Sequence, residues 1–169
     1  MMPLTRDQQR RQQRHEDISR LLKANTTNDG YSKYQSDFAA FFREQLAVNL
    51  LTDGQLQILH GVHTYPTTVV TSATSTGKTW LLAGLAVAIF KSFDEVGVYI
   101  AAASPESNLR TLSWGEITKL MAHAPHLFTD TISTDLTISK THLVRGKPKP
   151  SMSRIMGIPI PSQGRDAKM

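Results

Sequence analysis

The eleven residues from Trp80 to Phe90, WLLAGLAVAIF, carry no charged side chain. A helix that is apolar on every side is stable only when it is surrounded. This one is too short to cross a bilayer, which takes about 20 residues. It therefore predicts a helix from Gly77 to about Lys91 buried against a sheet. The flanks agree. Upstream lies the β-branched run Thr67-Thr68-Val69-Val70, which predicts a strand over Thr67 to Ser72, bounded by Pro66. Downstream, Asp94, Glu95 and Gly97 make a return loop, and Val98 to Ala103, VYIAAA, reads as a continuous apolar strand of the kind found inside a parallel sheet. Strand, helix and strand make a βαβ unit, so the fold class is α/β.

Other helices are expected on both sides of this unit. Asp37 is a plausible N-cap for a helix that places Phe38, Phe41, Phe42 and Leu46 on one face. A second helix starts at Thr52 or Asp53, with Leu56, Ile58, Leu59 and Val62 as its apolar side, and ends near Pro66. Ser104 to Leu127 reads as a further helix, with Leu109, Leu112, Ile117, Leu120 and Met121 inward. Leu136 to Ile138 and His142 to Val144 are expected to pair as short strands around Ser139 to Thr141. The segment after Arg145 has four prolines and three glycines and reads as loop. Three regions follow: a basic, polar arm over residues 1–33, a partial α/β domain over 34–144, and a basic Pro/Gly-rich loop or tail over 145–169.

At 169 residues and 40% apolar content, the chain can bury one sizeable core. The absence of cysteine excludes disulfides, thiolate metal sites and a cysteine nucleophile, and fits an intracellular protein. The N-terminus is polar and holds no secretory signal, so no membrane partner is expected. The net charge of +5 is unevenly placed. Residues 1–23 carry six Lys and Arg against three acids, residues 24–139 six against ten, and residues 140–169 seven against one. Basic ends on an acidic body suit a polyanion partner, although solvated flexible ends account for the same pattern.

The joint between strand and helix carries the chemistry. The phosphate-loop template is G-x-x-x-x-G-K-[ST]. Gly77-Lys78-Thr79 match its end, and Ser72 stands where the first glycine would be. Such a loop turns backbone N–H groups toward phosphates at the positive end of a helix dipole. Its lysine bridges the terminal phosphates, and its hydroxyl ligates Mg²⁺. The tripeptide alone is common. Its place between a predicted strand and a predicted buried helix is what makes the reading specific.

Ser72-Ala73-Thr74-Ser75-Thr76-Gly77-Lys78-Thr79 resembles the nucleotide motif of superfamily 2 helicases and the variant motif of large terminase subunits, the ATP-driven DNA-packaging motors of tailed bacteriophages. Both families tolerate loss of the first glycine. Both carry an upstream glutamine that reads the adenine edge, to which Gln55 is similar, with Gln57 its rival and a plain surface-helix residue the alternative. Asp37 to Glu44, Val98 to Leu109 and Ser113 to Ile117 are similar to stretches of terminases. A helicase would prefer a Pro-Thr-Arg type element where Ser104-Pro105-Glu106-Ser107 stand.

The terminase resemblance implies a P-loop NTPase-like fold with N-terminal helices and a parallel sheet. It implies ATP and Mg²⁺ as cofactors, held by Ser72 to Thr79, with Lys78 catalytic, Thr79 on the metal and Gln55 on the base. It implies double-stranded DNA as partner, a portal or small terminase subunit as further partners, and the host cytoplasm as location. A superfamily 2 helicase-like ATPase fragment and a non-enzymatic nucleic-acid-binding module are the alternatives; in the latter, Lys147, Lys149, Arg154, Arg165 and Lys168 would neutralise phosphates.

Motors of this class also need an acidic pair at the end of a third apolar strand. Four apolar residues followed by Asp-Glu do not occur in the chain, and Asp94-Glu95 follows a helix end. The fold is therefore expected to be incomplete, able to bind ATP and poor at hydrolysing it. Arg110, Arg154 and Arg165 are the candidates for an arginine facing the γ-phosphate. His60, His63, His123 and His126 read as surface or packing residues.

Overall fold

The computed structural model describes residues 30–71, 76–102, 106–144 and 147–160. The chain divides after Gly30, and the fold is that of the unit beginning at Tyr31. Residues 1–29 of the expected arm, Ser72 to Ser75, Ala103 to Pro105, Arg145 and Gly146, and the tail beyond Ile160 lie outside the described residues; the end of the expected arm, residues 31–33, belongs to the fold.

A 3₁₀ turn over Ser32–Gln35 leads into α1, Phe38–Gln45. Asp37 caps α1 as expected, its Oδ1 accepting from Ala40 N at 2.9 Å. Phe38, Phe41, Phe42 and Leu46 are all buried. Helix α2 spans Asp53–Thr64 and opens on a capping box, in which Thr52 Oγ1 accepts from Gln55 N and Gln55 Oε1 accepts from Thr52 N at 3.0 Å. Helix α3, Lys78–Ser92, is buried along nearly its whole length. It approaches α1 so closely that a Cβ on Gly84 would lie 2.6 Å from the Phe42 ring, and Trp80 stacks edge-on against Phe42 with centroids 5.4 Å apart.

Strand β1 covers Gly97–Ala102. A helical run follows, α over Glu106–Asn108, π over Leu109–Ser113, then α4 over Trp114–His123. It stops before Pro125, where a 3₁₀ turn takes over to Phe128, short of the continuous helix expected to Leu127. The π turn also corrects the predicted apolar side. An extra residue per turn shifts the helical phase, so Leu109 is buried while Leu112 is exposed.

Strands β2, Thr131–Thr134, β3, Thr137–Val144, and β4, Lys147–Pro159, complete a mixed sheet of four strands in the order β1-β4-β3-β2. β1 and β4 run parallel, with Val98 opposite Ile155, and the other two pairings are antiparallel. α3 and the π turn pack on β1 and β4 from one side. There Ile138 and Ile155 are fully buried, and Gly157 fits beneath Leu109 and Trp114.

Four sequence expectations change here. First, Thr67 to Thr71 belongs to no strand, and Val69 is 82% exposed. The run has β-propensity, but no strand lies beside it among the described residues to accept its hydrogen bonds. It packs against α2 instead: a Cβ on Gly61 would lie 3.1 Å from Thr68 Cγ2. The βαβ unit is thus present only in its helix and second strand. Second, among the described residues β1 is an edge strand with alternating burial, Tyr99 and Ala101 facing out, not a strand covered on both faces. Third, Ser139 to Thr141 is no turn. It lies inside β3, which turns back on β2 at Asp135 and Leu136.

Fourth, the Pro-rich segment after Arg145 is the longest strand of the sheet. Pro148 and Pro150 are tolerated because β1 pairs only with Arg154 to Pro159. The start of β4 therefore has an open edge, where a missing N–H leaves no ladder bond unmade.

Candidate phosphate site

The first helical residue of α3 is Lys78, and Gly77 before it is left-handed, φ 76° and ψ 14°. That conformation is open to glycine at little cost and strains any residue with a Cβ. Gly77, as the N-cap, offers no side chain to the first-turn amides, and the positive end of a helix of 15 residues lies at this turn. Lys78 Nζ stands 3.4 Å from Thr76 Oγ1.

A pocket of about 470 Å³ opens beside this turn. Thr76 and Lys78 line it from the loop, Gln55 and Gln57 from α2, and Thr68 and Thr71 from the segment between the helices. Its volume is that of an ordinary small-molecule cleft. Gln55 reaches the loop itself: its Nε2 lies 3.5 Å from where a Cβ on Gly77 would sit. The start of α2, with its own positive end, also borders the pocket at Thr52 and Gly54.

Of the residues expected at the site, Gln55, Thr76 and Lys78 line the pocket together, and Gly77 forms the turn. Thr79 is exposed and lies outside the lining. Ser72, Ala73, Thr74 and Ser75 lie outside the described residues. Gln57, the rival of Gln55, is exposed on the same wall. Thr52 was readable as a helix start, but its pairing with Gln55 in a Thr-x-x-Gln box is the signal that also ties Gln55 to the pocket wall.

Other candidates are placed elsewhere. Asp94 and Glu95 follow the C-terminal end of α3, about 22 Å of helix away from Lys78. Among the described lining residues none is acidic. Arg110 is clamped by Asp135 at 2.7 and 3.0 Å and by Glu106 at 2.8 Å. These carboxylates raise its already high pKa, and in return the guanidinium holds Asp135 below the ordinary carboxylate range. Arg154 lies on β4, opposite Gly97 and Ser139, and Arg165 falls outside the described residues. His60 contacts Thr64 Oγ1 at 3.4 Å, and His63 packs edge-on against Phe38.

Fold and site together define an α/β protein with a mixed four-stranded sheet, a buried central helix, and a pocket at that helix's N-terminal end. Among the described residues no helix is long and apolar enough to cross a membrane. No family model, curated protein or solved structure matches the chain.

Proposed function

We propose that the pocket beside Lys78 takes the phosphates of ATP with Mg²⁺, and that the chain is the nucleotide-binding portion of a DNA-packaging motor of the large-terminase kind. The observation that carries the reading is the left-handed Gly77 set directly before Lys78, at the start of a buried helix and beside a pocket of nucleotide-compatible size. A structural turn has no need of a lysine there. Phosphate binding does, because N–H groups, a helix dipole and an ammonium all favour an anion at one point.

In this reading the first-turn amides of α3 and the Lys78 ammonium hold the phosphate oxygens. The Thr79 hydroxyl, on the same turn, is the ligand offered to Mg²⁺, and the ion supplies charge neutralisation between the phosphates. Gln57 presents an amide group from α2 suited to the edge of a base, while Gln55, whose amide reaches the Gly77 turn, borders the phosphates. No described lining residue is a carboxylate that would activate water, so binding is expected to exceed turnover.

Calorimetric titration with ATP and Mg²⁺ tests this. Lys78→Ala removes a charge-assisted contact worth about 1.5–3 kcal/mol, so affinity should fall at least tenfold. Unchanged affinity in Lys78→Ala, or no binding by the parent chain, would overturn the proposal.

A further inference from the structure

Most of the basic side chains described in this fold are paired with a carboxylate. Lys33 pairs with Glu44, Arg43 with Asp37, Lys91 with Asp130, Arg110 with Asp135 and Glu106, Lys119 with Glu116, and Lys140 with Asp94. Outside the phosphate loop, the described Lys and Arg side chains with no carboxylate within 4.0 Å are Lys149 and Arg154, both on β4.

Arg154 sits where β1 joins the sheet, whereas Lys149 lies in the half of β4 that no third described strand flanks. β2 pairs with β3 only up to Lys140, and β1 pairs with β4 only from Arg154. The remaining pairs, Thr141 with Pro150 through Val144 with Lys147, have no third strand beside them among the described residues. They form a two-stranded ribbon that continues past the sheet. Lys149 faces His142 across it, and both are exposed. Lys147 precedes Lys149 by two residues in the sequence. Beyond the ribbon, Pro150 is exposed and Met152 is 74% exposed. The surrounding sequence offers little neutralisation, with seven Lys and Arg and one acid from residue 140 onward.

We infer that the β3–β4 ribbon is the surface that grips duplex DNA, through its phosphate backbone. A narrow two-stranded ribbon is a shape that a DNA groove admits. Lys149, exposed on it with no carboxylate within reach, gains from released counterions what paired cations elsewhere on the fold do not. The strand carries no aromatic residue, so the contact is to phosphates and independent of base sequence. The inference rests on the motor reading only for the choice of DNA as the polyanion. The ribbon itself is separate from the nucleotide pocket.

The test is fluorescence anisotropy of the full chain on a short labelled duplex, read as log affinity against log salt. Lys149→Ala should make the slope shallower by about 0.9, and Lys147→Ala with Lys149→Ala by about 1.8. Lys119→Ala removes an equal charge from α4, where Glu116 already holds it, and should leave the slope unchanged. Melting curves matching the parent would show that the ribbon variants stay folded, as expected for exposed positions. The inference is overturned if the ribbon variants keep the parental slope, or if Lys119→Ala loses as much as Lys149→Ala. Nucleotide titration keeps the two proposals apart: ribbon variants should bind ATP normally, and Lys78→Ala should keep the DNA slope. Loss of the slope effect with ATP binding intact sinks the ribbon alone. Absence of ATP binding with the slope effect intact sinks the nucleotide reading alone.

Discussion

Gln55 Nε2 lies 3.5 Å from the place a Cβ on Gly77 would occupy, so the first turn of α2 abuts the turn that opens α3. Its Oε1 is meanwhile committed to the Thr52 N–H in the capping box. One side chain thus caps a helix and borders a candidate anion site. These roles separate by substitution. Gln55→Ala should cost about 1 kcal/mol in chemical denaturation through loss of the cap. Gln55→Glu keeps a capping-box acceptor, because glutamate serves there equally. It should therefore hold stability while weakening ATP binding, since a carboxylate would then face phosphate oxygens. Equal effects of both variants on stability would show that the box is not what the side chain contributes.

Gly77→Ala should destabilise by about 1 kcal/mol, because φ of 76° places a Cβ against the following carbonyl. The nearest heavy atom to the new methyl is at ordinary contact distance, so the cost is in the backbone and not in crowding. Asparagine tolerates the left-handed region better, and Gly77→Asn should recover part of the loss. Urea midpoints for the pair measure the difference.

Lys91 is 3% exposed, and its ammonium bonds both Asp130 oxygens at 2.8 and 3.0 Å while sitting 5.0 Å from the Tyr31 ring. Removing Asp130 would leave a buried cation supported mainly by an aromatic face. Asp130→Ala is expected to cost about 2 kcal/mol, less than a fully buried pair because Asp130 is itself 36% exposed. Lys91→Met keeps the volume and removes the charge, so it should cost less than Asp130→Ala. The reverse order in thermal denaturation would contradict this account of the pair.

Asp135 is held below its ordinary pKa of 3.8, first by the hydrogen bonds from Arg110 and then by its charge. A folded value below the unfolded one means the clamp contributes fully above the unfolded value and fades as pH falls through the lower folded value. Asp135→Asn should therefore lower the urea midpoint slightly at neutral pH and converge with the parent in strong acid. In Arg110→Ala, carboxyl NMR titration should find Asp135 moved up toward 3.8.

The α1 cap at Asp37, the buried run of α3 and the apolar residues of β1 were readable because each depends on local chemistry: a capping oxygen, a helical period, a short apolar run. The Thr67 to Thr71 segment misled for the opposite reason. Its β-branched residues state a preference, but a strand exists only where another strand accepts its hydrogen bonds. β4 was missed for the same reason inverted, because prolines that read as loop are harmless along an unpaired edge. Likewise Leu112 looked inward until a π turn, which no local pattern announced, shifted its phase.

The sequence alone determined that a buried helix runs from Gly77 to about Lys91 with a glycine and a lysine at its start, since this follows from side-chain polarity and the turn chemistry before it. Tertiary structure decided which strands meet, that Gln55 borders the loop, and that unneutralised charge gathers on β4. Those outcomes rest on contacts between segments far apart in the chain, whose energies no local stretch contains.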